Sequence, residues 1–168
     1  MDTSAIHELT GPALEPFLPL LGEIESGSHF DEENPRHLEW LRFKLDAHLA
    51  RGTRYFGQLG GSNSPLGVLG VVIDHKLFCG PTAEIVDIGI IASRRGNGLG
   101  RALLEFAVDL VQPSGASSIF VRTYAGDEGV IAFYGRNGFH PVAVIPGTNG
   151  VHDEGTIVMR KTLAREHE

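Results

Sequence analysis

Hydrophobic and polar residues follow two different periods along the chain, and the changes between them predict its elements. Leucines at positions 38, 41, 45 and 49 recur at helical spacing, and Gly52 ends the helix that they predict. Short apolar runs between Gly-, Pro- and Asn-rich turns are typical of strands. These patterns predict strands over 4–9, 54–59, 66–73, 83–91, 118–124, 139–145 and 155–163, and further helices over 13–25, 101–110 and 127–136. Strands in a run that then alternate with helices predict a mixed α/β or α+β sheet.

Composition and charge limit the class of protein. The 168 residues contain no internal repeat and no linker, which predicts one domain over 1–168. With 14 Lys+Arg against 21 Asp+Glu the net charge is -7, which argues against nucleic acids and anionic membranes as partners. An acidic balance fits a cationic substrate, although it also serves solubility alone. Cys79 is the only cysteine, and the sequence has no signal peptide and no membrane span, so we expect a cytoplasmic protein.

A glycine-rich run, R-G-N-G-L-G from Arg95 to Gly100, follows the apolar stretch 85–91 and precedes a helical pattern. Glycine lets the backbone turn sharply and approach a ligand without a Cβ in the way. Strand, glycine loop and helix together point free N–H groups at a phosphate, and the arginine adds a cation. The run therefore predicts a phosphate-binding loop.

Two common phosphate-binding templates do not fit this run. A P-loop needs Lys followed by Ser or Thr after its last glycine, and neither pair follows these glycines. A dinucleotide-binding turn needs G-x-G-x-x-G and an acidic residue on the next strand. This run reads G-x-G-x-G instead, and the strand predicted over 118–124 carries no acid.

A third template, R-x-x-G-x-G, fits, and a second motif lies downstream of it. The run A-F-Y-G-R-N-G-F from Ala132 to Phe139 is similar to the late F-Y-x-x-x-G-F signature of the GNAT superfamily of N-acetyltransferases. The chain resembles that superfamily over most of its length, because both motifs occur in order with helix, strand and short helix between them. The resemblance implies a mostly antiparallel, twisted sheet of about seven strands flanked by about four helices.

The resemblance also implies a donor, a reaction and a donor site. Acetyl-CoA gives its acetyl group directly to a primary amine in a ternary complex, with no covalent acyl-enzyme. Backbone groups of Ile88, Gly89 and Ile90 hold the thioester arm in a splay of the sheet, and one N–H faces the thioester carbonyl. Asp127 stands where many members have Asn, and a helix N-cap is the alternative role for it. The residues implied to bind the pyrophosphate are Arg95, Gly96, Asn97, Gly98, Leu99, Gly100 and Arg101.

Two proton transfers have candidate residues. Tyr134, in the second motif, is predicted to bind the donor and protonate the leaving thiolate; the alternative is a core aromatic residue. The attacking amine must lose a proton, and Glu84 and Asp87 are candidates because ionised side chains are unusual in so apolar a strand. Glu84 shares side-chain parity with Ile88, whereas Asp87 faces the other way. This favours Glu84 as the base, with a water relay as the alternative.

The acceptor is less defined than the donor. The resemblance implies that the loop with His29, Asp31 and Glu32 and the loop with His152 border the acceptor pocket, where carboxylates would attract an ammonium group; solvated loops are the alternative. Asp87 is a further predicted acceptor residue. No metal-ligand spacing is present. We expect a small, cationic amine as the acceptor. A protein or peptide amine, a CoA-binding sensor without catalysis and a nucleotide-binding protein are the rivals, and the sequence leaves a homodimer open.

Overall fold

The computed structural model describes residues 5–76, 80–147 and 154–163 of the chain. These ranges contain seven strands and four α-helices, with short 3₁₀ turns between them. The helices are α1 (Leu18–Ser26), α2 (Pro35–Ala50), α3 (Leu99–Val111) and α4 (Glu128–Arg136). The strands are β1 (Ile6–Leu9), β2 (Arg54–Leu59), β3 (Pro65–Lys76), β4 (Gly80–Ile90), β5 (Ser118–Tyr124), β6 (His140–Ile145) and β7 (Thr156–Thr162).

One sheet contains all seven strands in the order β1-β2-β3-β4-β5-β7-β6. Strands β4 and β5 run parallel, whereas β1–β2, β2–β3, β5–β7 and β7–β6 pair antiparallel. The parallel pair is the one that needs a crossover, which α3 supplies. The predicted mixed α/β fold with a mostly antiparallel sheet is confirmed.

The first predicted helix begins later than the sequence pattern indicates. Residues Gly11–Phe17 form a 3₁₀ turn, and the α-helix starts only at Leu18. Pro16 has no N–H to donate to the preceding turn, which explains the delay.

Two compact units make up the chain, and the single-domain assignment stays a prediction. The first unit contains residues 1–72 and 86–107. In its core α1 and α2 pack on β2 and β3 through a buried cluster that includes Phe17, Leu21, Leu41 and Tyr55. On the α3 side of the same unit, the Phe56 ring meets the Phe106 ring edge-on, with centroids 5.0 Å apart.

The second unit contains residues 73–85 and 108–168. Its described part combines the start of β4 with β5, β7, β6 and α4. Asn137 closes α4 by donating its side-chain amide to the Phe133 carbonyl at 2.8 Å, and Gly138 follows with φ +85°. This left-handed exit is the one that the Asn-Gly pair predicts.

None of the helices in the described part of the chain is long and apolar enough to cross a membrane.

Candidate functional site

The predicted phosphate loop is exposed and has the left-handed backbone that its glycines allow. Gly96 has φ +78° and Gly98 has φ +81°, a region that residues with a Cβ rarely adopt. Apart from its own chain neighbours, a Cβ built on either glycine would have no heavy atom of the described residues within 4 Å. These glycines are therefore required by backbone conformation and not by crowding, and the surface outside them is open to a ligand.

The loop leads into the first turn of α3. Its first α-helical hydrogen bond runs from the Ala102 N–H to the Gly98 carbonyl at 3.0 Å. The N–H groups of the preceding residues are those that an α-helix leaves without an acceptor in its own first turn. Because the positive end of the helix dipole lies there, the residues fit an anion such as the CoA pyrophosphate.

Arg95 connects the loop to two other elements of the same unit. Its Nε donates to the Ile90 carbonyl at 3.0 Å, and its Nη2 donates to Glu23 of α1 at 2.6 Å. The guanidinium therefore holds the loop against β4 and α1 in addition to carrying a positive charge. The sequence predicts the charge but gives no sign of these two contacts.

The end of β4 presents backbone groups at one edge. The Ile91 N–H donates to the Leu66 carbonyl at 3.0 Å and therefore points toward β3. Because consecutive residues of a strand point their N–H groups in opposite directions, those of Ile88 and Ile90 point to the edge away from β3. The parallel ladder at that edge joins residues 83–85 of β4 to residues 119–121 of β5, while β4 itself continues to Ile90. This geometry fits the predicted pairing with an extended thioester arm.

Gly89 has a packing role in this segment. A Cβ on Gly89 would lie 2.6 Å from Ile24 Cδ1 and 3.5 Å from Leu20 Cδ1, both on α1. The absence of a side chain therefore lets α1 lie directly against the backbone of β4 between Ile88 and Ile90.

Asp87 lies at the centre of a buried polar network. Its side chain is 3% exposed, and its Oδ2 accepts a hydrogen bond from the Tyr55 hydroxyl at 2.6 Å. His48 Nδ1 lies 2.8 Å from the same hydroxyl and 3.4 Å from Asp87 Oδ2. Lys44, which pairs with Glu25 of α1, adds a positive charge nearby. The other carboxylate oxygen, Oδ1, is buried and has no hydrogen-bonding partner among the described residues.

This network keeps Asp87 ionised. Burial by itself raises the pKa of Asp87, but hydrogen bonds from His48 and Tyr55 and the charge of Lys44 outweigh burial, so the pKa lies below its ordinary value of 3.8. Burial, followed by the charge of Asp87, raises the pKa of Tyr55 far above its ordinary value of 10.0, so the hydroxyl stays protonated and donates. A carboxylate held in this way is a strong partner for a cation and a weak proton acceptor.

Replacing Asp87 with Asn is expected to lower the free energy of unfolding by about 3 kcal/mol near neutral pH, because the buried donors lose their charged acceptor. A lowered folded-state pKa contributes stability above the ordinary value of 3.8, and that stability is lost as the pH falls through the folded-state pKa. The difference between wild type and variant should therefore be constant from neutral pH down to about that ordinary value and shrink below it. Urea unfolding across a pH series measures it.

Asp46→Asn is the matched control for this prediction, because Asp46 is an exposed carboxylate on α2. Its substitution is expected to change the free energy of unfolding by less than about 0.5 kcal/mol. An Asp87→Asn difference that stays constant from neutral to strongly acidic pH would contradict an ionised Asp87.

Tyr134, Glu84 and Asp127 lie in the second unit. The Tyr134 ring is 4% exposed and packs against Phe133 and Phe139, with centroids 5.3 Å and 5.6 Å away. Arg122 Nε lies 3.1 Å from Glu84 Oε1, so the carboxylate predicted to be the base forms an ion pair with a guanidinium. Asp127 Oδ1 accepts from the Val130 N–H at 3.0 Å and is the N-cap of α4, the alternative role considered for it. The catalytic and donor-binding roles of the three stay predictions.

Three of the five predicted acceptor residues lie in one segment between α1 and α2. His29, Asp31 and Glu32 are exposed between α1 and α2, and Asp31 Oδ1 accepts from the Glu33 N–H at 2.9 Å. His152 lies outside the described residues. Asp87 is the one predicted acceptor residue that the structure surrounds with a buried network. Within the described ranges, no group of three or more His, Cys, Asp or Glu side chains could hold a metal ion.

The family model of the acetyltransferase (GNAT) family matches residues 14–139, which include the glycine loop, β4 and both predicted motifs. The chain belongs to the GNAT family. Members of this family use acetyl-CoA as the acetyl donor, which agrees with the predicted donor and with the predicted class of enzyme. A curated relative, an uncharacterised N-acetyltransferase of Methanocaldococcus jannaschii, is 25% identical over 147 residues; the match covers 86% of this chain and 64% of the relative's length.

Solved GNAT structures share the fold. A GNAT-family acetyltransferase structure from Desulfovibrio desulfuricans is 22% identical, with a TM-score of 0.72 and coverage of 95% of this chain and 99% of that chain. An aminoglycoside 6'-N-acetyltransferase in complex with coenzyme A is 17% identical, with a TM-score of 0.73 and coverage of 98% and 99%. The ribosomal-protein-S18-alanine N-acetyltransferase from Escherichia coli is 20% identical, with a TM-score of 0.67 and coverage of 98% and 96%. The last two enzymes are named for different acceptors, so the shared fold does not identify the acceptor of this GNAT chain.

Sequence reasoning missed the partners of Asp87 in this GNAT chain. Lys44 and His48 follow Leu41 and Leu45 at helical spacing, so they extend the stripe of α2 that faces the core. These two polar residues beside a buried apolar stripe are the feature of the sequence that could have predicted partners for Asp87. Tyr55 gave none, because a tyrosine in a strand is ordinary.

Proposed function

We propose that this chain transfers an acetyl group from acetyl-CoA to the primary amine of a small, cationic molecule, directly and without a covalent acyl-enzyme. The exposed left-handed glycine loop at the start of α3 is the observation that carries the donor assignment. The cationic nature of the acceptor is supported by the buried, ionised Asp87.

The donor is held through backbone groups in this proposal. The N–H groups of residues 96–101 bind the pyrophosphate, and Arg95 holds the loop in place. The N–H groups of Ile88 and Ile90, which point to the edge of β4 away from β3, pair with the thioester arm and stabilise charge on the thioester oxygen. Acetyl-CoA supplies an activated acetyl group and a thiolate leaving group.

Proton transfers complete the proposed reaction. The amine must be neutral to attack, so its proton leaves first, to Glu84 or to a water molecule. Asp87 is a poor proton acceptor, so we assign it to recognition of the ammonium form. Tyr134 donates a hydrogen bond or a proton to the sulfur as negative charge develops there. A hydroxyl in this position stabilises the leaving group even though its ordinary pKa of about 10 exceeds that of a thiol.

Two rivals to this function remain testable. A protein or peptide amine would use the same donor site and chemistry. A CoA-binding sensor would keep the glycine loop and lose turnover; the presence of Tyr134 argues against it. The cytoplasmic location and the homodimer stay predictions from the sequence.

Release of thiol from acetyl-CoA in the presence of an amine panel tests the proposal. The panel contains spermidine, an aminoglycoside, tyramine and a peptide with a free N-terminal amine, and mass spectrometry confirms the acetylated product. We expect turnover with a polycationic small molecule that exceeds hydrolysis without amine by at least about a hundredfold. Turnover with the peptide alone would favour the protein-amine alternative. CoA binding without turnover across the panel would favour the sensor.

A further inference from the structure

The network around Asp87 is asymmetric in a way that packing alone does not explain. Oδ2 accepts a hydrogen bond from the Tyr55 hydroxyl at 2.6 Å, and His48 Nδ1 lies 3.4 Å away, whereas the buried Oδ1 has no partner within the part of the chain that the structure describes. A buried acceptor without a donor costs free energy, and the cost is larger for a charged group. A ligand donor that hydrogen-bonds to Oδ1 would recover that free energy, so Oδ1 is suited to accept a hydrogen bond from a ligand.

The charges of the network specify the kind of donor. Asp87 and Glu25 are negative and Lys44 is positive, so these three groups carry one negative charge in excess, which His48 offsets only in its protonated form. Lys44 pairs with Glu25 of α1, which leaves Asp87 without a direct cationic partner among these groups. A ligand with an ammonium group supplies both the missing donor and the missing positive charge.

We propose that Tyr55 and His48, with Lys44, are positioning residues that fix Asp87 through Oδ2 so that Oδ1 accepts a hydrogen bond from the ammonium group of the acceptor. This inference rests on the proposed function and adds to it the residues that determine acceptor specificity. Oδ1 is closed to solvent, so a side chain must move before a ligand reaches it. Lys44, Glu25 and His48, with 24%, 21% and 15% of their side chains exposed, are the most exposed members of the network.

A purely structural role is the competing explanation. Buried ion pairs are often no more stabilising than apolar residues of the same size, so stability is a weak reason for such a network. Buried polar groups usually have a hydrogen-bond partner, but Thr53 Oγ1 is also buried without one among the described residues, so the unpaired Oδ1 does not by itself exclude a structural role. The test must therefore use a readout that a change in stability does not produce.

Tyr55→Phe is the principal variant, because it removes the hydroxyl and keeps a buried aromatic ring. We expect the KM for spermidine, or for the panel amine with the highest turnover, to rise about tenfold or more. The KM for acetyl-CoA should stay within about twofold of wild type. His48→Gln is the second variant, and Asp46→Asn is the control on the same helix. Equal effects on both Michaelis constants, or no effect on either, would overturn the proposal.

The titration of Asp87 gives a second readout that does not depend on turnover. NMR of the labelled Asp87 carboxyl carbon should show its pKa rise in Tyr55→Phe, because the ionised form loses a donor. The acid limb of the pH profile of amine acetylation should also move to higher pH. The groups that act on Asp87 in this titration are Lys44 and His48 from α2 and Tyr55 from β2, and Glu25 from α1 pairs with Lys44. An unchanged pKa in both variants would overturn the proposal.

The same spectrum separates failure of this inference from failure of the proposed function. One outcome is that no amine is acetylated, but spermidine shifts the Asp87 carboxyl signal in wild type and shifts it much less in Tyr55→Phe. That outcome would support the binding site at Asp87 and reject acetyl transfer to amines. If amines are acetylated and spermidine leaves that signal unchanged, acetyl transfer is supported and the proposed binding site at Asp87 is wrong. If neither turnover nor a shift is seen, both are wrong.

Discussion

Replacing Gly98 with valine is expected to weaken CoA binding by at least about a hundredfold, or about 2.7 kcal/mol. Gly98 has φ +81°, and a branched residue there either adopts a strained backbone or changes the direction of the loop. Its side chain would also occupy the open space through which a pyrophosphate approaches the N–H groups. Because the added Cβ would have no heavy atom of the described residues within 4 Å beyond its chain neighbours, we expect the core to be undisturbed. Calorimetric titration with CoA measures the effect.

Gly52→Val is the matched control for backbone strain. Gly52 has φ +86° and the same open surroundings, but it follows α2 and lies outside the loop. We expect this variant to lose stability by about 1–2 kcal/mol and to bind CoA like wild type. Similar losses of CoA affinity in both variants, or unchanged affinity in Gly98→Val, would show that the loop does not hold the pyrophosphate.

Replacing Tyr134 with phenylalanine is expected to lower kcat by about a hundredfold, the lower end of what a positioned general acid contributes. The substitution removes the hydroxyl and leaves a ring that can keep its contacts with Phe133 and Phe139. Because the hydroxyl acts on the leaving sulfur, affinity for acetyl-CoA should change by no more than about threefold. Steady-state kinetics and calorimetry on the same preparation separate the two effects.

Tyr124→Phe controls for the loss of a tyrosine hydroxyl elsewhere in the second unit. Tyr124 is 45% exposed at the end of β5 and has no role in the proposed chemistry. We expect its kcat to match wild type. A Tyr134→Phe variant with wild-type turnover would remove Tyr134 from the mechanism and favour the alternative that it is only a core residue.

Local features of the chain could be predicted from the sequence with good accuracy. The glycine run, the Asn-Gly exit after α4 and the strands 54–59 and 118–124 depend on residues close together in sequence, and the structure has them as predicted. The N-cap role of Asp127 could be predicted for the same reason, because the residue that donates to its side chain lies only three positions later. Backbone conformation at these positions follows from the residue types themselves.

Contacts between distant segments could not be predicted in the same way. Tyr55 and Asp87 are separated by 32 positions, and Arg95 and Glu23 by 72. The first pair joins strands β2 and β4, and the second joins the glycine loop to α1; apolar periodicity does not determine which side chains meet between such distant segments. The sequence therefore identified Asp87 as an unusual ionised residue and did not identify the groups that keep it ionised, nor the anchor that fixes Arg95.

The central claim is that the loop from Gly96 to Arg101 binds the pyrophosphate of CoA, and comparative calorimetry tests it most directly. Wild-type protein is titrated with CoA, with pantetheine, which lacks the pyrophosphate and the nucleotide, and with ATP and NAD. We expect one CoA to bind per chain, pantetheine to bind more weakly by at least about a hundredfold, and ATP and NAD to bind more weakly than CoA. Pantetheine that binds as tightly as CoA, or a nucleotide that binds more tightly, would contradict the claim.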